Sequence, residues 1–391
     1  MVKKYPDPKP SRATTAPHTS EPEAANAPSA EELKAQQRLL NIFNDAFKEV
    51  LSRDDFATIL QAVKGALYDR DFERAFGSEQ YLEVYAARYS PPRALCYSRI
   101  LGQIAGHLES LIVTSADGEG EGESKSEGRK AVVEEDEVER GRASPTVDLE
   151  EGEGGTKEDT KSSSTLRVLA VGGGAAEIVA FGDHIRSAGT TITGDLTLLD
   201  TGPWQEVVQK LHTGLTTSPV LSKFASATAK AANAALVEPA ERLTSTFVQQ
   251  DVLELDRERL PKLLGQTPLL ITMLFTLNEL YTSSGVGKTT AFLRNLTATI
   301  PVNSLLLVVD SPGSYSEASV GKEAKKYPMQ WLLDHTLLQT DKLPPNSCRW
   351  EKLESHDSIW FRHDAGLKYP IKLEDIRYQM HLYRACPRPS D

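Results

Sequence analysis

Cysteine is scarce: the 391-residue chain has Cys96, Cys348 and Cys386 and no others. Odd in number, scattered and without metal-ligand spacing, they exclude a disulfide framework and a thiolate metal centre. They fit a reducing compartment with no structural metal. The sequence also lacks any apolar run of the roughly 18–20 residues that would span a bilayer, and no secretory signal pattern opens it, so no membrane is expected as partner. Internal repeats are missing too. Positive charge is in deficit, with a net charge of −11, which speaks against nucleic acid until it is partitioned. Residues 114–164 hold 16 acidic and 7 basic side chains, leaving the rest of the chain near −2. Overall charge is therefore a poor guide to what the folded surface attracts.

What is present divides the chain into four. Residues 1–28, rich in Pro, Ala, Ser and Thr without apolar periodicity, read as a disordered tail. Over 29–113, Leu33, Leu39, Leu40, Phe43, Phe47 and Val50, then Phe56, Ile59, Leu60, Val63 and Leu67, recur at three and four, as on buried helix faces. Pro91-Pro92 predicts a stop between one helix ending near Tyr89 and another over about 93–113. The acidic stretch 114–164 has almost nothing to bury and reads as a disordered insertion. Over 165–386 strands and helices alternate. Strands are expected at 167–171, 196–200 after a Gly194-Asp195 turn, 244–250, 269–275, 304–310, 349–354 and 378–384, with an alanine-rich helix over 221–236. The fold class is thus α/β: a seven-stranded, mostly parallel Rossmann-like sheet with an N-terminal helical extension.

The stretch Val168-Leu-Ala-Val-Gly-Gly-Gly-Ala-Ala-Glu177 reads as strand, glycine turn (Gly172, Gly173, Gly174) and helix, the unit at which such sheets bind ligands. A dinucleotide fingerprint would put a glycine where Glu177 stands, and a carboxylate at a helix start repels the pyrophosphate that needs the same place. It suits a cationic ligand without phosphate, such as S-adenosylmethionine. Asp200, ending the second strand, can accept from ribose hydroxyls, as it would in an NAD enzyme. Asp251 can accept from an adenine amino group, with Val252 against the ring. Alternatively, Asp200 is a turn residue and Asp251 a helix cap. Asn278 and Glu279 follow the fourth strand, where an amide and a carboxylate can hold a flat base and accept an imide proton. Ser283-Ser-Gly-Val-Gly-Lys-Thr-Thr290 looks like half a P-loop, but Thr282 stands where its first glycine is needed, so it reads as a flexible loop.

These residues, in this order, resemble a class I S-adenosylmethionine-dependent methyltransferase over 165–385. Tyr85-Ala-Ala-Arg-Tyr-Ser-Pro-Pro-Arg-Ala-Leu-Cys-Tyr97, Leu274-Phe-Thr-Leu-Asn-Glu-Leu-Tyr281 and Asp375-Ile-Arg-Tyr-Gln-Met-His-Leu-Tyr-Arg384 resemble, more narrowly, the fungal 25S rRNA uridine-N3-methyltransferases. Two departures stand out: Ala170 where many class I enzymes have an acid, and Ala176 where the third glycine would be. The resemblance implies methylation of uridine N3 in large-subunit rRNA, with S-adenosylmethionine as cofactor and the rRNA or a pre-ribosomal particle as partner. It implies Glu279 as proton acceptor, Asn278 as the residue that orients uracil, and Arg88, Arg93, Arg362 and Arg377 on rRNA phosphates. It also implies a monomer in the nucleus, nucleolus and cytoplasm. The alternatives are an NAD-dependent oxidoreductase and a non-catalytic ribosome-assembly factor that keeps the fold.

Overall fold

The computed structural model describes residues 29–114, 164–313, 317–320, 325–339 and 347–388. The expected tail, and all but the first and last residue of the expected acidic insertion, lie outside them. Seven strands, β1 (Ser164–Val171), β2 (Ile192–Asp200), β3 (Leu243–Gln249), β4 (Leu270–Leu274), β5 (Leu305–Asp310), β6 (Arg349–Phe361) and β7 (Ile376–Cys386), form one sheet in the order β3-β2-β1-β4-β5-β7-β6. The first five are parallel, and β7 lies antiparallel between β5 and β6. A two-residue strand, Val113–Thr114, pairs antiparallel with the start of β1. Every residue of β4 and β5 is buried. They read as nearly continuous apolar runs, interrupted only by Thr272 and the terminal Asp310, because helices cover both faces of the sheet. The order in which successive strands are added to the sheet reverses between the parallel neighbours β1 and β4, so the ligand crevice is expected beyond the carboxyl ends of those strands.

The helices that build the core and the site are α1 (Ala30–Ala46), α2 (Phe56–Tyr68), α3 (Phe72–Phe76), α4 (Glu79–Gln103), α5 (Ala175–Ser187), α6 (Gln205–Thr216), α7 (Leu277–Ser283), α8 (Gly285–Thr299) and α9 (Met329–Leu337), with four further short ones at Lys48–Leu51, Ala105–Leu108, Ala227–Ala231 and Leu260–Leu264 among the described residues. Ser29 and Glu32 cap α1 reciprocally, each side chain taking the other's backbone N–H. The N-terminal helices do not form a core of their own. Leu40, Phe43, Val63, Leu82 and Ile100 belong to the same apolar cluster as Ile178 and Phe181 of α5 and Leu198 of β2. A second cluster, with Phe292, Leu293 and Leu333, fills the opposite face. No helix of the described residues is long and apolar enough to cross a membrane.

Four expectations are corrected here. Gly194 lies inside β2 rather than in a turn. A Cβ there would come within 2.7 Å of Ile185 and Phe181 side-chain atoms, so the glycine admits α5 against the sheet. Of the expected alanine-rich helix only Ala227–Ala231 forms, and it buries nothing; without an apolar face to pack, a short helix has little to hold it. The half P-loop is no loop: it runs from the end of α7 into α8, with Lys288 on the exposed side. Finally, Pro91-Pro92 does not stop a helix, because α4 passes through both.

Proline at 91 has no N–H for the carbonyl of Ala87, one turn back, which normally breaks a helix. Here the Tyr369 hydroxyl, from the segment between β6 and β7, donates to Ala87 O at 2.7 Å. The same segment holds α1 through Lys368, which exchanges hydrogen bonds with the Gln37 side chain. Replacing Tyr369 by phenylalanine leaves that carbonyl buried and unpaired. The expected cost is about 1–3 kcal/mol, measurable as a lower midpoint in chemical denaturation.

Candidate active site

Beyond the carboxyl ends of β1, β2 and β4 lies a cavity of about 610 Å³. The β1–α5 turn supplies Gly172 and Gly174. Gly172 has φ +68°, and a Cβ there would lie 2.3 Å from Thr276 Oγ1. Neither the conformation nor the space admits a side chain. Gly173 packs behind the turn against Ala170 and is not in the wall. At the start of α5, Glu177 turns back so that its carboxylate accepts from the Gly174 N–H at 2.9 Å. The helix N-terminus, where a pyrophosphate would seat, is therefore already held by an anion of the protein itself.

Asp200 ends β2 and accepts from the Gly202 N–H at 2.7 Å. Asp251 caps a short turn through the Leu253 N–H at 2.8 Å, with Val252 beside it. Asp200, Asp251 and Val252 all line the cavity, so the turn and cap roles coexist with exposure to a ligand. Burial raises the Glu177 carboxyl to about 7 against the pull of the Gly174 N–H, and raises Asp200 to about 6 against that of Gly202. Buried carboxyls that resist ionising are relieved by a cation. The wall carries five acidic side chains (Glu73, Glu177, Asp200, Asp251 and Glu279) and one basic one, Arg93, among the described residues. Such a surface fits S-adenosylmethionine, which is cationic and has no phosphate, and opposes NAD.

Across the cavity, β4 is followed by Phe275 at φ +59°, in the left-handed region that a phenylalanine seldom adopts. Its N–H stays bound to Val309 O at 2.7 Å. This turn delivers Thr276 and then Glu279 of α7 to the wall. Glu279 is pushed up to about 8 by burial; Arg93 opposes the shift, and Asp310 and Asp200 add to it. Asn278 is not in the wall: its backbone N–H donates to Asp310 Oδ2 at 3.0 Å.

The N-terminal helices close the cavity with Phe72, Phe76, Tyr85, Ser90, Arg93 and Tyr97. The Arg93 guanidinium lies 5.5 Å from the Tyr85 ring centre and 5.2 Å from that of Phe275, and donates to the Tyr85 hydroxyl. Trp204 packs edge-on against Tyr85. Arg88 does not reach a surface where phosphates pass. It is buried and ion-paired with Glu374, because its turn of α4 lies under the segment between β6 and β7. That corrects the expectation for Arg88. Arg362 and Arg377 are exposed and flank Trp360, at 5.0 and 5.8 Å from its ring centre. Phe275, Thr276, Trp204 and Gln250 also line the wall, and nothing in the sequence marks them; Tyr85 and Tyr97 do stand out there, as rings beside Arg88, Arg93 and Arg99 suited to stacked bases and phosphates. Among the described residues no group of His, Cys, Asp and Glu is placed to hold a metal ion.

A family profile described as SAM-dependent methyltransferase matches residues 43–384. In sequence the chain is similar to the 25S rRNA (uridine(2843)-N(3))-methyltransferase of Saccharomyces cerevisiae, 27% identical over 354 residues, spanning 89% of this chain and 85% of the other. Among solved structures it is similar to a SAM-dependent methyltransferase from Methanosarcina mazei (10% identity, 57% of this chain, 93% of the other, TM-score 0.32). Another is the 16S rRNA (adenine(1408)-N(1))-methyltransferase from Catenulisporales acidiphilia (12% identity, 57% and 89%, TM-score 0.31). At these scores the structural likenesses carry no weight beside the strand order itself.

Proposed function

The chain belongs to the SAM-dependent methyltransferases, and from that premise we propose that it methylates N3 of a uridine in large-subunit (25S) rRNA. The observation that carries this reading is the position of Glu279, a half-buried carboxyl in the same cavity wall as the acidic glycine corner. Bound S-adenosylmethionine would supply an electrophilic methyl group, held by Gly172, Gly174, Glu177, Asp200, Asp251 and Val252. The protein's task is then to present a flat base in line with that corner and to remove the imide proton, since uracil N3 is a poor nucleophile while it keeps it. Glu279, with a proton affinity raised to about 8, is suited to take that proton near neutral pH. Phe72, Phe76 and Trp204 add apolar rings to the same wall, which would help keep water from the reacting face. The name of the yeast relative supports the same substrate.

The test is to incubate purified protein with methyl-labelled S-adenosylmethionine and large-subunit rRNA, then digest and separate the nucleosides. Label in N3-methyluridine is expected; label in another nucleoside, or none, overturns the proposal. A non-catalytic assembly factor would bind the RNA and leave it unlabelled.

Arg362 and Arg377, on either side of the half-exposed Trp360, are the cations we assign to rRNA phosphates. They sit where β6 ends and β7 begins, with Arg377 paired to Trp360 in the ladder, at the same end of the sheet as the cavity. Replacing both by alanine should weaken RNA binding and lower the slope of log K against log salt by about 2, one per lost contact. Filter binding over a salt series measures it, and an unchanged slope would remove both arginines from the interface. The nucleus with its nucleolus and the cytoplasm are the compartments we assign, because large-subunit RNA is made and assembled there; a monomer is the oligomeric state we propose.

A further inference from the structure

Arg93 is out of place as a phosphate contact. It is the one cation among the described wall residues and stands among five acids, so a phosphate drawn to it would also meet Glu177 and Glu279. Its surroundings suit something flat and uncharged. Tyr85 and Phe275 present their rings beside the guanidinium, and Phe275 is in turn stacked near Tyr97, with centroids 6.4 Å apart. Aromatic faces of this kind take an unstacked base. Glu279 lies near enough for the Arg93 charge to favour its ionised form. The same cavity wall therefore holds a donor, Arg93, and an acceptor, Glu279.

We propose that the half of the cavity walled by α3, α4 and the β4–α7 turn is a pyrimidine-base subsite. There Arg93 donates to the O4 carbonyl oxygen of the base while Glu279 receives the adjacent imide N–H. The inference rests on the function proposed above and names the element that selects the base. Uracil presents an acceptor next to a donor, matching Arg93 and Glu279. Cytosine presents an amino group and a bare ring nitrogen at the same two places, each alike in character to its protein partner. Buried polar groups left facing the wrong partner discriminate strongly. The N-terminal helices thereby become part of the site rather than an appendage to it.

The nucleosides uridine and cytidine, which carry no phosphate, are the probes. Each is titrated at pH 8.5 into full-length protein holding S-adenosylhomocysteine, following tryptophan fluorescence, to which Trp204 beside Tyr85 responds. Uridine is expected to bind on the order of tenfold more tightly than cytidine. Arg93→Met and Glu279→Gln should each remove most of that preference while S-adenosylhomocysteine affinity, which also reports folding, stays within about twofold; Arg93→Lys should keep part of it. Equal or absent binding of the two nucleosides overturns the subsite, as does an Arg93→Met protein that still prefers uridine or loses S-adenosylhomocysteine. Should Arg93→Met instead keep nucleoside selectivity and weaken RNA binding with a lower salt slope, Arg93 is a phosphate contact after all. If uridine selectivity holds but rRNA gains no N3-methyluridine, the proposed reaction falls while the subsite stands.

Discussion

Glu279→Gln should lower single-turnover methylation of RNA by about 10²–10⁴-fold, the span typical of a lost general base, while S-adenosylmethionine affinity, read by calorimetry, persists. The pH dependence is the sharper readout. Burial lifts the Glu279 carboxyl to about 8, with Arg93 opposing and Asp310 and Asp200 adding to the shift. A base acts only once deprotonated, so the wild-type rate should climb with pH, level off near 8, and lose this limb in the glutamine protein. A rising limb that survives the substitution would assign the proton to another acceptor. Stability must follow with the opposite sense. An acid that holds its proton more tightly folded than unfolded makes the fold less stable as pH rises from the ordinary carboxylate range, 4.5, to about 8. Glutamine escapes that penalty, so the variant should melt above wild type at pH 8.5 and show no such gain at pH 4.

Gly172→Ala should abolish S-adenosylmethionine binding and destabilise the protein. The positive φ costs a residue with a side chain roughly 1–2 kcal/mol. Intrusion on Thr276, 2.3 Å from the added carbon, contributes about 1–3 kcal/mol more as overpacking. The two causes separate by adding Thr276→Ala. Removing the side chain in the way restores part of the lost melting temperature, while the backbone strain and the displaced turn remain, and so does the binding defect. An alanine variant that binds the cofactor normally would mean that this turn does not cradle it.

Much of the cofactor side was legible in the sequence. Apolar runs define strands, and the residue after a run is carried to the sheet's carboxyl edge whatever the packing. That is why Gly172, Gly174, Asp200, Asp251 and Val252 reach one cavity, with Glu177 on the helix just behind the turn. The base side was less legible. Where an arginine on a long helix points depends on what covers that helix. Arg88 and Arg93 are five residues apart on α4, yet one is sealed under Glu374 and the other faces the cavity. Pro91-Pro92 carries a strong local stop signal, overridden by a hydroxyl supplied from residue 369, far along the chain. The left-handed Phe275 gives no sign of itself in a string of letters, because the surrounding fold imposes it.

One feature of the fold bears on how the protein can be handled. Val113 and Thr114 pair with Thr165 and Ser164, so the backbone departs and returns at neighbouring points on the rim of the sheet. A graft at that doorway needs only closely spaced ends, and loop-closure entropy grows slowly with the length inserted. Exchanging 115–163 for a tight turn, or for a compact reporter domain with adjacent termini, should leave S-adenosylmethionine binding intact. The position is a natural port for labelling this enzyme.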